Sequence, residues 1–301
     1  MTQCAACNST VELGSEFTNG FLSYKCLKCS HEFYFADDVE LMRITSELYK
    51  NDGDYIGDLA KSKDHMYLIQ WNHLTAAKIF RELPRIETLL DIGTFNGFFV
   101  KFMRDRGYLA NGVDFNENAL KDGIDKYDLL GHLSTDVKDF GVEKYDCISA
   151  FEVIEHLEDP NRFLSDTSSL LNKDGILAIS CPNNKMLWRV QVDYPPHHLS
   201  RFSPDSLRIM LEKHGFEILH HKEQMSFVDL SRNFIGSLLR DTKTDSLKGG
   251  NHKKLFFIDP LRFVLNKGRV FSYLLAKPID SLMHLFGYRY VCQLVIARKV
   301  R

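Results

Sequence analysis

The chain has 301 residues, of which 44% are hydrophobic, and a formal net charge of −2 at pH 7. This length and apolar content can bury a sizeable core, either as one large domain with an appendage or as two modest domains. A near-neutral charge excludes a chain that is basic throughout and holds nucleic acid by charge alone. The N-terminus lacks a basic region followed by an apolar run, and no stretch reaches the ~18 apolar residues that span a bilayer, so we expect a cytoplasmic protein with reduced thiols.

Two C-x-x-C pairs lie near the N-terminus, Cys4 with Cys7 and Cys26 with Cys29, and eighteen residues separate them. This spacing is typical of a tetrahedral zinc site, in which four thiolates leave no open position and the Zn²⁺ is structural. A segment as short as 1–38 cannot fold on its core alone, so metal would supply much of its folding energy. The pattern predicts a zinc ribbon of short β-hairpins, with redox dithiols or unliganded thiols as the alternatives.

Residues 39–85 form a predicted helical cap or linker, whose last helix stops before Pro84. Strands and helices then alternate through 86–225. The predicted strands are 88–93, 109–114, 132–136, 145–151, 175–181, 216–223 and, near the C-terminus within the final core segment 288–301, 290–298. The predicted helices are 97–106, 116–130, 159–171 and 203 to about 215. This alternation indicates an α/β fold, a doubly wound sheet that is mostly parallel and has helices on both faces.

Residues 226–287 interrupt this alternation and are too many for a plain loop. Apolar residues mixed with lysine and arginine predict amphipathic helices there, forming either a lid packed on the sheet or an element on a membrane surface. Residues 232–301 contain 14 lysines and arginines against four aspartates, a net charge of +10, so the first 231 residues carry −12. This asymmetry predicts either an anionic partner, such as the inner face of a membrane touched peripherally, or a solvated basic face.

The segment LLDIGTFNGFFV, residues 89–100, is a predicted strand, a tight turn and the start of a helix. Gly93 and Gly97 allow a ligand to approach the backbone, and the helix start directs N–H groups and a positive dipole end towards it. Asp114 ends the next strand, where α/β folds place a carboxylate on ribose hydroxyls. The pattern predicts a nucleoside cofactor. Phe95 stands where a dinucleotide fingerprint has glycine, which disfavours a pyrophosphate.

The D-x-G-x-x-x-G spacing from Asp91 to Gly97 resembles motif I of class I S-adenosylmethionine (SAM) methyltransferases. With YDCISAFEVIEHLEDP at 145–160 and LLNKDGILAISCPN at 170–183, it makes 86–225 and the last strand similar to that family. The resemblance implies a Rossmann-like sheet of seven strands with an antiparallel last strand. The segment PPHHLSRFSPDSLRIMLEKHGFEI resembles the branch of ubiquinone-biosynthesis O-methyltransferases and sugar methyltransferases. A Cys₄ ribbon ahead of such a domain resembles enzymes of bacterial glycan and antibiotic-sugar pathways.

The resemblance also implies a set of residues that bind SAM: Asp91, Gly93, Thr94, Gly97, Asp114, Phe115, Asp136, Val137 and Phe151. In this set Asp91 would face the amino acid end of SAM, Asp114 the ribose hydroxyls and Asp136 the adenine. An acid at a strand end can instead merely cap the next helix.

Methyl transfer to a hydroxyl or a carbon acid needs a base. The candidates are Glu152, Glu155, His156, His197 and His198. One of the two loop histidines, His197 or His198, is the favoured base, although a loop histidine equally often fixes its loop through a hydrogen bond.

A divalent cation is a second hypothesis for the same segment. If Glu152, Glu155 and His156 start a helix, they share one face and suit Mg²⁺ or Mn²⁺. Some relatives use such an E-x-x-E-H set with metal, which lowers the pKa of the acceptor hydroxyl. In the metal-free alternative His156 packs against the sheet and Glu155 is solvated.

The sequence thus predicts a SAM-dependent methyltransferase that acts on a hydroxyl, or on carbon or nitrogen, of a small, glycan-linked or lipid-linked acceptor. An RNA methyltransferase is an alternative, since zinc ribbons precede SAM domains there too, but few clustered lysines and arginines in the ribbon disfavour nucleic acid. The other alternative is a non-catalytic scaffold with this fold, which the presence of both Asp91 and Asp114 disfavours. The acceptor, the methylated atom and the oligomeric state do not follow from the sequence.

Overall fold

A computed structural model of the chain describes residues 3–16, 20–37, 69–83, 86–186, 189, 193–231, 269–286 and 291–300. Most of the predicted linker at 39–85 and most of the predicted insertion at 226–287 lie outside these ranges. Within them, residues 227–231 are helical and a helix with Pro278 inside it spans Arg269–Leu285. None of the described helices combines the length and the apolar character that crossing a bilayer requires.

Seven strands form the main sheet. They are β4 (Thr88–Ile92), β5 (Leu109–Val113), β6 (Leu133–Ser134), β7 (Tyr145–Phe151), β8 (Leu171–Pro182), β10 (Phe216–Gln224) and β11 (Cys292–Lys299). The strand order is β10-β11-β8-β7-β4-β5-β6, and β11 is antiparallel to both of its neighbours while the other pairs are parallel. The predicted fold class is therefore confirmed, including the antiparallel last strand.

Helices cover both faces of this sheet. They are α1 (Trp71–Glu82), α2 (Phe98–Arg104), α3 (Glu117–Tyr127), α4 (Pro160–Leu170) and α5 (Pro204–Lys213). A further helix is α6 (Arg269–Leu285). The apolar sides of α1, α2 and α3 share one buried cluster, and those of α4 and α5 share another. The central strand β7 has five consecutive buried residues at its end, because parallel strands with helices on both faces are apolar on both sides.

Polar side chains start several helices at the predicted places. The side chains of Asn116, Asp159 and Ser203 each accept a hydrogen bond from a backbone N–H of the first turn, and a proline follows the last two. The structure differs at two boundaries. Helix α2 begins after Gly97, whose φ of +72° is not helical, and β8 begins at Leu171, directly after α4.

The N-terminal segment forms a second, smaller sheet. Its own strands are β1 (Val11–Glu16), β2 (Leu22–Cys26) and β3 (Glu32–Phe35), which pair in antiparallel order. A fourth strand, β9 (Ser200–Arg201), comes from the loop between β8 and α5 and pairs with β3. The ribbon is therefore not a separate appendage, since a strand from the main domain completes its sheet.

Candidate functional site

The turn between β4 and α2 has an unusual backbone. Gly93, Phe95 and Gly97 have φ values of +73°, +54° and +72°. Glycine adopts this left-handed conformation freely, whereas phenylalanine adopts it at some cost. A Cβ on Gly93 would lie 2.5 Å from Val153 Cγ2, so the turn packs closely on the segment that follows β7.

The backbone N–H groups of this turn are used within the protein. Those of Gly93 and Thr94 donate to the carbonyl of Val113, at 2.9 and 3.1 Å. The N–H of Gly97 donates to the Thr94 carbonyl at 2.9 Å, and that of Phe95 donates to Asp114 Oδ2 at 2.8 Å. The expectation that the turn presents its N–H groups to a ligand is wrong for these four. Those of Gly93, Thr94 and Phe95 tie the turn to the end of β5, and that of Gly97 bonds within the turn.

Two carboxylates lie at the ends of the neighbouring strands β4 and β5, and we call them the strand-end acids. Asp91 is 4% exposed, its Oδ1 accepts a hydrogen bond from Ser149 Oγ at 2.6 Å, and burial raises its pKa to about 7. Asp114 Oδ1 accepts the N–H of Asn116 at 2.9 Å, and burial also raises the pKa of this residue. A cationic group beside Asp91 would favour its ionised form.

The other residues that the resemblance assigned to SAM include Phe115, Asp136 and Phe151, which lie at or just after the carboxyl ends of β5, β6 and β7. Asp136 is exposed and its Oδ1 accepts the N–H of Lys138, so it caps the short 3₁₀ helix Val137–Phe140. Phe115 is also exposed. Phe151 is buried, and its ring centroid lies 4.8 Å from that of His73 and 5.1 Å from that of Phe99. Their contacts with SAM stay a prediction.

A second group of polar side chains lies beyond the ends of β7 and β8. We call it the acid–histidine cluster: Glu152, Glu155, His156, Asp193 and His198. Its members come from the 3₁₀ turn after β7 and from the loop that precedes β9.

Glu155 is the most unusual member of this cluster. It is 1% exposed, and neither of its carboxylate oxygens has a hydrogen-bond partner among the described residues. Burial, and then the nearby charge of Glu152, raise its pKa well above the usual range. A buried carboxylate without hydrogen bonds is costly unless it is protonated or faces a cation. The prediction of a solvated Glu155 in the metal-free alternative is therefore wrong.

The two histidines of the cluster have different partners. His156 Nδ1 lies 2.8 Å from the carbonyl of His197, so it donates, and burial lowers the pKa of this ring to about 3. The neutral ring then has an unprotonated Nε2, 3.9 Å from Glu155 Oε1. His198 Nδ1 lies 3.3 Å from Asp193 Oδ1, and both side chains are buried. Of the two predicted loop histidines, His198 thus joins the cluster with its side chain and His197 contributes its backbone carbonyl.

Glu152 is held away from the predicted metal set by its own hydrogen bonds. Its Oε1 accepts from Ser180 Oγ at 2.7 Å and from Cys292 Sγ at 3.3 Å, and Asn72 Nδ2 donates to the same Ser180 Oγ at 2.8 Å. The ligand atoms that lie within 4.8 Å of one another belong to Glu155, His156 and His198. Sequence reasoning missed Ser149 and Asn72, because each acts through a partner that is far away in the sequence. It also missed Asp193, whose partner His198 is close in the sequence but is reached only through the fold of their loop.

The four ribbon cysteines lie together, with ligand atoms within 4.8 Å of one another. The Sγ atoms of Cys4 and Cys29 are 3.6 Å apart, and those of Cys7 and Cys26 are 3.4 Å apart. A tetrahedron with Zn–S bonds of about 2.3 Å has edges of about 3.8 Å, so the thiols fit a zinc ion. Burial raises the pKa values of Cys4 and Cys29, and such thiols ionise when a cation is present.

The sheet order and the strand-end acids define a class I SAM-dependent methyltransferase fold. Residues 64–221 match the family model described as a methyltransferase domain. Since this is more than half of the chain, the chain belongs to that methyltransferase family, and the predicted resemblance is confirmed.

The curated relatives with significant similarity include ubiquinone biosynthesis O-methyltransferases. That of Caulobacter vibrioides is 28% identical over 147 residues, 41% of this chain and 57% of the relative. That of Haemophilus ducreyi is 27% identical over 109 residues, 33% of this chain and 46% of the relative. The chain thus spans about half the length of the curated relatives that it matches.

Solved structures show the same fold at low identity. Phosphoethanolamine N-methyltransferase 2 of Haemonchus contortus, in complex with SAM, has a TM-score of 0.51 and 14% identity, over 90% of this chain and 62% of that chain. Coclaurine N-methyltransferase, bound to N-methylheliamine and S-adenosylhomocysteine, has a TM-score of 0.50 and 13% identity, over 88% of this chain and 89% of that chain. At this identity the similarity concerns the fold alone.

Proposed function

We propose that this chain transfers the methyl group of SAM to a hydroxyl of a small acceptor. The observation that supports it most is the buried Asp193–His198 contact of 3.3 Å within the acid–histidine cluster, in a chain of this methyltransferase family. The two curated relatives described above are ubiquinone biosynthesis O-methyltransferases, which favours oxygen over nitrogen or carbon as the methylated atom.

The strand-end acids suit SAM by their chemistry. Asp91 can bind the ammonium group of SAM through its carboxylate. Burial raises the pKa of Asp91, and the positive charge of the bound ammonium would lower it again and so favour the ionised carboxylate. Each oxygen of Asp114 accepts one backbone N–H and keeps a second lone pair, which can accept a ribose hydroxyl.

The acid–histidine cluster can supply the base. As the acceptor oxygen attacks the methyl carbon, the carbon–sulfur bond breaks and the hydroxyl proton passes to His198 Nε2. Asp193 Oδ1 lies 3.3 Å from the other ring nitrogen, Nδ1, without the geometry of a hydrogen bond, and its charge would stabilise the imidazolium that forms. The protein must also hold the two reactants in line and exclude water from them.

Two metal ions suit the described donor sets. Glu155, His156 and His198 would hold Mg²⁺ or Mn²⁺, which when bound lowers the pKa of an acceptor hydroxyl, and in that case His198 would be a metal ligand and not the base. The buried, unpaired carboxylate of Glu155 supports this assignment, and His198 takes the place that the sequence prediction gave to Glu152. The four ribbon cysteines would hold a structural Zn²⁺.

The proposal specifies the acceptor only by its hydroxyl group. A panel of candidate acceptors can identify the chemical class of the compound. The panel contains a phenol, a sugar, a lipid-linked hydroxyl compound, an amine and an RNA, each incubated with SAM carrying a labelled methyl group. We expect label on a hydroxyl compound and none on the amine. Label on the amine or the RNA alone would replace the proposal, and failure to bind S-adenosylhomocysteine would end it.

Asp193→Asn tests the role of the acid–histidine cluster in the same assay. It should lower transfer roughly 10- to 1,000-fold, because the histidine loses the negative charge that stabilises its imidazolium, and leave the dissociation constant of S-adenosylhomocysteine unchanged. Asp205→Asn, on the exposed start of α5, is the matched control. Equal activity of the two variants would remove Asp193 from the mechanism.

A further inference from the structure

The ribbon and the acid–histidine cluster are joined through Leu199. The carbonyl of Leu199 accepts the N–H of Tyr34 in the ribbon strand β3, at 2.8 Å. The N–H of Leu199 donates to the carbonyl of Glu155, also at 2.8 Å. One residue next to His198 is therefore held by the ribbon on one side and by the cluster on the other.

Side chains reinforce this strand junction. Arg201 in β9 donates to Glu32 Oε1 at 2.8 Å and to the Tyr34 hydroxyl at 2.9 Å, and that hydroxyl donates to the same Glu32 oxygen at 2.7 Å. The side chains of Arg201 and Glu32 are only 12% and 19% exposed. Breaking one partner of a largely buried ion pair costs more than breaking a surface pair.

The second cysteine turn, Cys26–Cys29, and Ser30 directly after it bond to both ends of the loop that contains Asp193 and His198. Before the loop, Asn184 Nδ2 donates to the Ser30 carbonyl at 2.6 Å. After the loop, Ser203 Oγ donates to the Cys29 carbonyl at 2.6 Å. The ring of His31 stacks on Phe202 with centroids 4.8 Å apart.

We infer that the ribbon is a positioning element of the active site: zinc on its four cysteines holds residues 193–203 so that His198 stays beside Asp193 and Glu155. This inference rests on the proposed function. The zinc ion would join the two cysteine turns to each other, so without it these turns loosen, and the contacts at both ends of the loop loosen with them. The strand-end acids are bound to β5, Ser149 and the turn after β4, so donor binding does not depend on the ribbon.

The first test compares the full-length protein with and without bound Zn²⁺, by hydrogen exchange and mass spectrometry. Removal of zinc should speed exchange of 193–203 roughly tenfold or more and leave 89–100 unchanged. The dissociation constant of S-adenosylhomocysteine should stay within about twofold, because distant sites act independently. Unchanged exchange at 193–203 would overturn the inference.

The second test breaks the junction while zinc stays bound. Arg201→Met should lower kcat roughly 10- to 100-fold with an unchanged KM for SAM, because a small displacement of the base is costly. Arg208→Met, which removes an exposed arginine that pairs with Glu212 on α5, is the control. If the two variants behave alike in activity and in the exchange of 193–203, the inference is wrong. The exchange readout needs no acceptor, so zinc-dependent protection without methyl transfer would contradict the proposed function and not the link between ribbon and loop.

Discussion

The strand-end acids and the acid–histidine cluster are built in different ways. Asp91 and Asp114 lie 23 positions apart, each at the end of a strand that pairs with the other. The cluster instead combines a turn after β7 with a loop more than 30 residues later, and a ribbon from the N-terminus supports that loop. The proposed donor side therefore depends on how adjacent strands and the turn after β4 align, whereas the proposed acceptor side depends on contacts between distant parts of the chain.

The largest expected effect would separate the two regions by function. His198→Gln removes the proposed base, so kcat should fall roughly 100- to 10,000-fold. The affinity for S-adenosylhomocysteine, measured by calorimetry, should not change. His197→Gln is the matched variant and should lower kcat less than about tenfold, since its backbone carbonyl still accepts the His156 hydrogen bond. A larger loss in His197→Gln would assign the base to the other histidine.

A smaller expected effect is the pH dependence of the affinity for SAM on the proposed donor side. Because burial raises the pKa of Asp91 to about 7, this group is protonated in much of the free protein below that pH. Affinity for SAM should therefore fall as pH decreases from 7.5 to 5.5, by up to about tenfold per unit. Asp91→Asn should bind roughly 10- to 100-fold more weakly at pH 7.5 and show little pH dependence. A wild-type profile as flat as that of the variant would contradict the assignment.

The smallest effect tests whether the two regions are packed independently. Gly93→Ala places a Cβ against Val153 and keeps a positive φ, which should lower the free energy of unfolding by ~1–3 kcal/mol. Adding Val153→Ala to this variant should recover the part of the lost free energy of unfolding that comes from the clash. The part that comes from the positive φ should remain. Denaturant unfolding of the two single variants and the double variant measures this coupling. Strictly additive losses would show that Gly93 and Val153 do not constrain each other.

Local patterns in the sequence predicted the fold and the positions of the strand-end acids. Buried runs such as 145–151, capping residues such as Asn116 and an acid at each strand end are properties of short segments, so the sequence contains them directly. The C-x-x-C spacing similarly predicted which four thiols lie together. The turn at 93–97 was predicted as well, but not that its N–H groups bond to Val113 and Asp114, because that depends on how β4 and β5 align.

The sequence by itself determined the class of fold, the family and the four ribbon cysteines, because each of these depends on residues within one short segment or on a fixed spacing. Only the tertiary structure decided that Asp193 faces His198, that Glu152 bonds to Ser180 instead of joining Glu155, and that β9 completes the ribbon sheet. Asp193 and His198 are close in the sequence but meet only through the fold of their loop, whereas Glu152 and Ser180 are 28 positions apart and Glu32 and Arg201 are 169 positions apart. No short-range pattern specifies such contacts, because they form only after the whole sheet and its loops have packed.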